Sequence, residues 1–244
     1  MRSTVVMTSR RVTRIMADVM GGTGSTSLPE RLCAACAEAL PVTGVGLAFM
    51  NDTGPMGMVA ATDGSARTME DLQVVLGEGP CVEASQTRRP VLQPDLGMTG
   101  ASRWPLFGPA VLRAGVAAIF AFPLQVGAIR LGVLDLYRKS PGMLDDVELD
   151  EALAYADAAT ELILELQGQA AGDALHPALS EGFAYSPVIH QATGMISAQA
   201  GIGVGDALLL LRARAYAAER ALTDIAKDVV ERRLRWDTEG EQED

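Results

Sequence analysis

Two apolar runs decide the fold: Val116-Ala117-Ala118-Ile119-Phe120-Ala121-Phe122-Pro123-Leu124 and Ile129-Arg130-Leu131-Gly132-Val133-Leu134-Asp135-Leu136-Tyr137. Gln125-Val126-Gly127-Ala128 separates them. Each run has strand length, and a connection this short joins neighbouring antiparallel strands.

Working outward, Gly44 to Met50 and Met58 to Ala61 bracket the turn Asn51-Asp52-Thr53-Gly54-Pro55 and read as a hairpin. Before it, Leu32, Cys33, Cys36 and Leu40 recur at helical spacing over Leu28–Leu40, and Pro41 ends the run. After it, a helix is expected over Ala66–Leu76, stopped by Gly77. A long helix is expected over Asp145–Leu166, with Leu149, Leu153, Ala156 and Ile163 on one stripe. Hairpin strands with helices before, between and after them predict an α+β domain, an antiparallel sheet with flanking helices.

The 244 residues are 48% apolar, enough for one large core or two modest ones. No apolar run approaches the roughly 20 residues of a membrane span, and the arginine-bearing start has too short an apolar stretch for a secretory signal. Three cysteines make no disulfide framework, so a cytoplasmic protein is expected. The net charge of −11 argues against a polyanionic partner when taken whole. It divides unevenly, however: residues 15–181 hold 9 basic and 21 acidic residues, whereas 182–236 hold 7 and 5. Composition and charge together give an arm with an amphipathic helix (1–27), a main domain (28–166), a linker (167–185), a small helical domain (186–236) and an acidic tail (237–244).

In the main domain, Glu78-Gly79-Pro80-Cys81, Asp95 followed by Trp104, Pro123-Leu124 and the Gly132–Tyr137 strand occur in an order that resembles a bacterial GAF domain. The resemblance spans Leu28 to Leu166 and implies a small-molecule sensor with a pocket between the sheet and the Glu78–Ser85 segment. Glu78, Cys81 and Trp104 are its expected lining, with no ligand identified.

The C-terminal stretch reads as three helices. Ser186-Pro187 starts the first, on which Val188, Ala192, Met195 and Gln199 recur until Gly201. The second runs from about Gly205 to Glu219, with Ala207, Leu208, Leu211, Ala215 and Ala218 inward and Arg212, Tyr216 and Arg220 on one outer stripe. Leu222-Thr223-Asp224 breaks the chain and caps a third helix, which buries Ile225, Ala226, Val229 and Val230. Arginines flanking an aromatic ring can hold phosphates and stack an unpaired base; a merely solvated helix face has the same composition.

Val188 to Ile196, Ala207 to Ala215 and Leu222 to Val230 are similar to the ANTAR domain in order and spacing. The resemblance implies an RNA-binding transcription antiterminator that recognises tandem stem-loops. Gln191, Ala192, Thr193 and Gly194 fall on its first-helix motif and Arg212 and Ala215 on its second; Tyr216 and Arg220 join them through the stripe. Many ANTAR domains carry a basic residue where this chain has Thr193, and the second helix opens on Gly203 where a better side-chain cap is common.

No catalytic group, metal-ligand set or cofactor signature is expected. Cys33 and Cys36 lie inside a helical pattern and read as core. Cys81, next to an expected helix start, is where a thiol pKa can be lowered, which leaves a GAF-type thiol redox enzyme as one alternative and a DNA-binding helix-turn-helix regulator or an RNA-independent metabolite sensor as others. Val12, Ile15, Met16, Val19 and Met20 form an apolar stripe whose expected partner is a second chain, giving a homodimer through this helix and Asp145–Leu166.

Overall fold

In the computed structural model the described residues are 2–22, 26–51, 54–170, 176–180, 186–218 and 220–236. Expectations for the acidic tail, for Asp52-Thr53 of the first turn and for parts of the linker lie outside them. The chain forms two units, Met1–Phe183 and Ala184–Asp244, which divide inside the stretch read as a linker.

The first unit runs α1 (Arg2–Gly21), α2 (Leu28–Ala39), β1 (Gly44–Asn51), β2 (Gly54–Ala61), α3 (Gly64–Leu76), α4 (Pro80–Thr87), β3 (Val91–Gln93), α5 (Leu96–Arg103), α6 (Phe107–Arg113), β4 (Ala118–Val126), β5 (Ile129–Arg138), α7 (Asp146–Gln169) and α8 (Pro177–Ser180). Local chemistry sets most boundaries. Ser27 and Glu30 form a capping box at α2, and Asp145 and Glu148 form another at α7. The Asp63 carboxylate accepts from the Ala66 N–H at 2.8 Å to start α3, and Gly77, at φ 65°, ends it in the left-handed region.

The five strands are antiparallel in the order β2-β1-β5-β4-β3. The expected four-residue connection between the deciding runs is shorter. Gln125 pairs with Arg130 and Val126 with Ile129, which leaves Gly127-Ala128 as the turn, with Gly127 at φ 58°. Two-residue hairpins need a positive φ that glycine supplies.

Side chains alternate across the sheet. Leu134 and Leu136 of β5, with Phe120, Phe122 and Leu124 of β4, join a core completed by α1, α2 and α7. Val133 and Tyr137, with Ile119 and Ala121, join a second core on the opposite face, under α3 to α6. The short β3, α5 and α6 were not anticipated. Asp95 caps α5 through two backbone N–H groups.

Two helix expectations need correction. Val12, Ile15 and Val19 of α1 are buried in the core with α7 of the same chain, which covers the stripe assigned to a second chain. Burying each aliphatic side chain contributes about 1.5–3 kcal/mol, and Arg14 pairs with Glu151 at 2.6 Å alongside. On α7, Leu153 is exposed; the buried arc runs through Ala152, Ala156, Ala159 and Ile163. The helix is covered both by the sheet and by α1 and α2, and small alanines let these neighbours approach. Within the expected linker, α7 continues to Gln169, and α8 docks Leu179 into the core.

The second unit is all-α: α9 (Ser186–Ala200), α10 (Val204–Ala217) and α11 (Leu222–Val230). Ile189, Ala192, Thr193 and Ile196 form the buried face of α9, about one position round from the expected Val188–Gln199 stripe. Ala207, Leu211 and Ala215 of α10 and Leu222, Ile225, Ala226 and Val229 of α11 complete the core. Gly201, at φ 66°, lets the chain turn after α9. No single helix among the described residues is long and apolar enough to cross a membrane.

Candidate functional site

The second core of the first unit contains polar groups where a strand run and two helix faces are otherwise apolar. Asp135 is the one acid in the Ile129–Tyr137 run, and the period of two turns it toward α3 and α4 together with Val133 and Tyr137. Glu70 and Gln73, three residues apart on α3, share a face with Met69 and are almost completely buried. α4 begins beside them. Gly79, its cap, has φ 134°, and a Cβ there would press on the Gln73 amide oxygen at 2.7 Å.

These groups form a connected set. The Tyr137 hydroxyl donates to Glu70 Oε1 at 2.5 Å. Gln73 Nε2 donates to Asp135 Oδ2 at 3.2 Å, and Gln73 Oε1 accepts from the Cys81 N–H at 2.8 Å. Cys81 Sγ lies 3.9 Å from Met50 Sδ. Glu70 Oε2 and Asp135 Oδ1 are buried and receive no N–H or hydroxyl donor, and the two carboxyls interact with each other and Asp135 with the Cys81 thiol. One donor atom each from Glu70, Cys81 and Asp135 lies within 4.8 Å of the other two.

Burial dominates the electrostatics. It pushes the Glu70 carboxyl up to about 7, against the pull of the Tyr137 hydrogen bond. Burial, and then the Glu70 charge, push Asp135 well above the usual carboxylate range. Cys81 moves up as well, first by desolvation and then by Asp135 and Glu70. The lowering that a helix start can give a thiol is therefore outweighed at Cys81 by a dry core and two facing carboxyls.

Of the expected pocket residues, only Cys81 belongs to this set. Glu78 Oε1 accepts from the Leu106 and Phe107 N–H groups at 2.5 and 2.7 Å and thereby caps α6. Trp104 is buried edge-on against Phe107, with Arg103 over its ring and paired to Glu83. Both hold the α5–α6 corner. Met50, Glu70, Gln73, Asp135 and Tyr137 were not singled out from the sequence. The available signal was an acid inside a strand run and a polar pair on the inner face of α3.

In the second unit, Gln191 and Gly194 are exposed on α9, and a Cβ on Gly194 would meet nothing within 4 Å. Ala192 and Ala215 are core residues. Thr193 is also buried, and its hydroxyl donates to the Ile189 carbonyl at 2.7 Å. Arg212 is partly buried with an unpartnered Nε, and desolvation lowers its pKa. Tyr216 is 45% exposed. Arg220 is not on the stripe, because α10 stops at Ala217; it pairs with Asp228 of α11 at 2.8 Å, as does Arg233. Leu210, Ala213, Arg214, Ala217, Leu234, Arg235 and Trp236 line an open groove of about 420 Å³. Arg235 and Trp236 were not expected there, since they follow the last helix.

A family model described as the GAF domain matches residues 27–163; no ANTAR domain is detected. No curated protein matches the chain. Among solved structures, the GAF domain of a phosphoenolpyruvate-protein phosphotransferase from Coxiella burnetii is similar at 15% identity and a TM-score of 0.49, over 67% of this chain and 97% of that one. The corresponding Acinetobacter domain gives 11% identity and 0.48, over 66% and 96%. A type II free methionine-R-sulfoxide reductase from Thermoplasma acidophilum gives 16% identity and 0.41, over 55% and 90%.

Proposed function

The chain belongs to the GAF-domain family through residues 27–163, and from that premise we propose that it is a cytoplasmic sensor-regulator whose C-terminal unit is an ANTAR-type module. That unit binds tandem stem-loops of nascent mRNA and prevents a terminator from forming, under control of a small ligand or of dimerisation through the GAF domain. The observation that carries this reading is the α10 groove, where the Trp236 ring lies with Arg214 and Arg235 around about 420 Å³ of open space. An indole face stacks an unpaired base, and guanidinium groups beside it hold the flanking phosphates. Tyr216 offers an exposed ring on α10 itself, and the order of the three helices supports the resemblance. Gln191 and Gly194 offer an open stretch of α9.

The test is a gel shift with tandem-hairpin RNAs selected by crosslinking from total RNA. Replacing Arg235 and Trp236 with Ala is expected to weaken binding at least tenfold with the fold retained. Tyr216→Ala adds to the loss. Arg212→Ala is a poorer probe, because its partly buried stem also packs. Unchanged affinity in the double variant would sink the RNA reading, and preference for duplex DNA would replace it with the helix-turn-helix alternative. We read the chain as a regulator and not an enzyme: with its pKa pushed up, Cys81 lacks the thiolate that a redox nucleophile needs at neutral pH.

Dimerisation belongs to the same proposal, by a different surface from the α1 stripe. Leu153 and Leu164, three turns apart on the outer face of α7, are 38% and 45% exposed. Light scattering of Leu153→Glu with Leu164→Glu is expected to give a monomer where the unmodified chain gives a dimer.

A further inference from the structure

We propose that Glu70, Cys81 and Asp135 form a site for a divalent transition-metal ion of borderline softness, zinc or ferrous iron, with the Met50 thioether as a weak fourth neighbour. The three principal ligands come from α3, α4 and β5, so the fold assembles them from separate elements. Their donor atoms lie within 4.8 Å of one another, so a central point is within about 2.8 Å of each. A closure of at most about 0.5–0.8 Å reaches the 2.0–2.3 Å of metal–oxygen and metal–sulfur bonds.

The surroundings of the carboxylates point the same way. Each has one oxygen held by a hydrogen-bond donor, Tyr137 for Glu70 and Gln73 for Asp135, and the second oxygen of each is buried and receives no N–H or hydroxyl donor, facing only the other members of the cluster. A monodentate ligand carboxylate steadied by an outer donor has this arrangement. Tetrahedral ligands at 2.3 Å stand about 3.8 Å apart, and Met50 Sδ and Cys81 Sγ are 3.9 Å apart. Sulfur ligands disfavour magnesium and calcium, which take all-oxygen shells.

Charge supplies the reason to fill the site. Two carboxylates and a thiol in a dry core must keep protons unless a cation replaces them. A bound dication lets all three ionise and leaves a net charge of −1 among the ligands.

The experiment uses the full chain stripped with chelator and titrated with cobalt(II), which reports thiolate ligation by a charge-transfer band. One cobalt per chain, the band and displacement by zinc are expected. The Cys33→Ala/Cys36→Ala variant leaves Cys81 as the sole thiol of the three cysteines and should keep the band; Cys81→Ser should lose it. Glu70→Gln or Asp135→Asn should weaken binding at least tenfold. No saturable band in the unmodified chain, or a band that vanishes with Cys33 and Cys36, overturns the proposal. If Cys81→Ser does not fold, the sole-thiol variant and its band decide alone.

Discussion

Glu70 shows what one buried acid does to the stability of the first unit. Its carboxyl moves from the ordinary 4.5 up to about 7, chiefly through burial. A raised carboxyl holds a proton in the folded state that the unfolded chain has already released, so folding takes up a proton within this window. The Glu70 contribution to stability in the metal-free protein is thus expected to fall by up to about 1.4 kcal/mol per pH unit between about pH 4.5 and 7, and Asp135, raised in the same way, adds to the fall. Urea unfolding at successive pH values measures the slope, and Glu70→Gln should make it shallower; an undiminished slope places the proton elsewhere. At Gly194 the environment is open, so Gly194→Ala should stabilise the second unit by about 0.5–1 kcal/mol through helix propensity. If this stretch of α9 is an approach point for RNA, hairpin affinity drops in the same variant. Thermal melts beside gel shifts separate the two effects.

At the level of elements, close approach matters more than composition. α5 and α6 meet where Gly108 lies directly on the Gly100 backbone, with no room for a Cβ. Gly108→Ala should cost about 1–3 kcal/mol, as overpacking does, read as a lower denaturation midpoint with an unchanged slope. The strong local signals were legible in the sequence: capped α2, α3 and α7 and the β1–β2 and β4–β5 hairpins carry their own period and punctuation. β3, α5 and α6 are too short to show a period, and their places depend on Trp104, Phe107 and Glu78 meeting across the α5–α6 corner. Glu78 illustrates the limit, since a motif position read as pocket lining is in fact a helix cap. Asp135 was visible as an acid inside a strand run, but only its meeting with Glu70 and Cys81, 65 and 54 positions away in sequence, makes it a candidate ligand. Helix rotation was also weakly specified: Ala192 faces inward on α9 as expected, but with Ile189 and Ile196 beside it in place of Val188 and Met195, because tertiary packing chooses among nearly equivalent apolar arcs.

For the whole molecule, charge is distributed by unit. The acidic excess of residues 15–181 disfavours nucleic acid there, and even residues 182–236 are sparing with their seven basic groups. Asp228 engages Arg220 and Arg233, which hold it below the usual carboxylate range, and Lys227 approaches Asp224 at 3.9 Å. About three or four arginines are left for phosphates. The proposed RNA complex should therefore lose affinity gently with salt, with a log–log slope of about −2 to −3 at roughly 0.7 per contact on single strands. Filter binding between low and physiological salt checks this, and a slope near zero would remove the electrostatic basis of the interface.

The alternation along β5 has a mechanical consequence. Asp135 and Tyr137 touch the polar cluster, while Leu134 and Leu136, their immediate neighbours in the chain, press into the core beneath α7. A close-packed interior does not absorb a shift by local slack. Anything that draws Asp135 toward Glu70 and Cys81 pulls the central strand of the sheet with it, and the leucines carry the same displacement to the opposite layer.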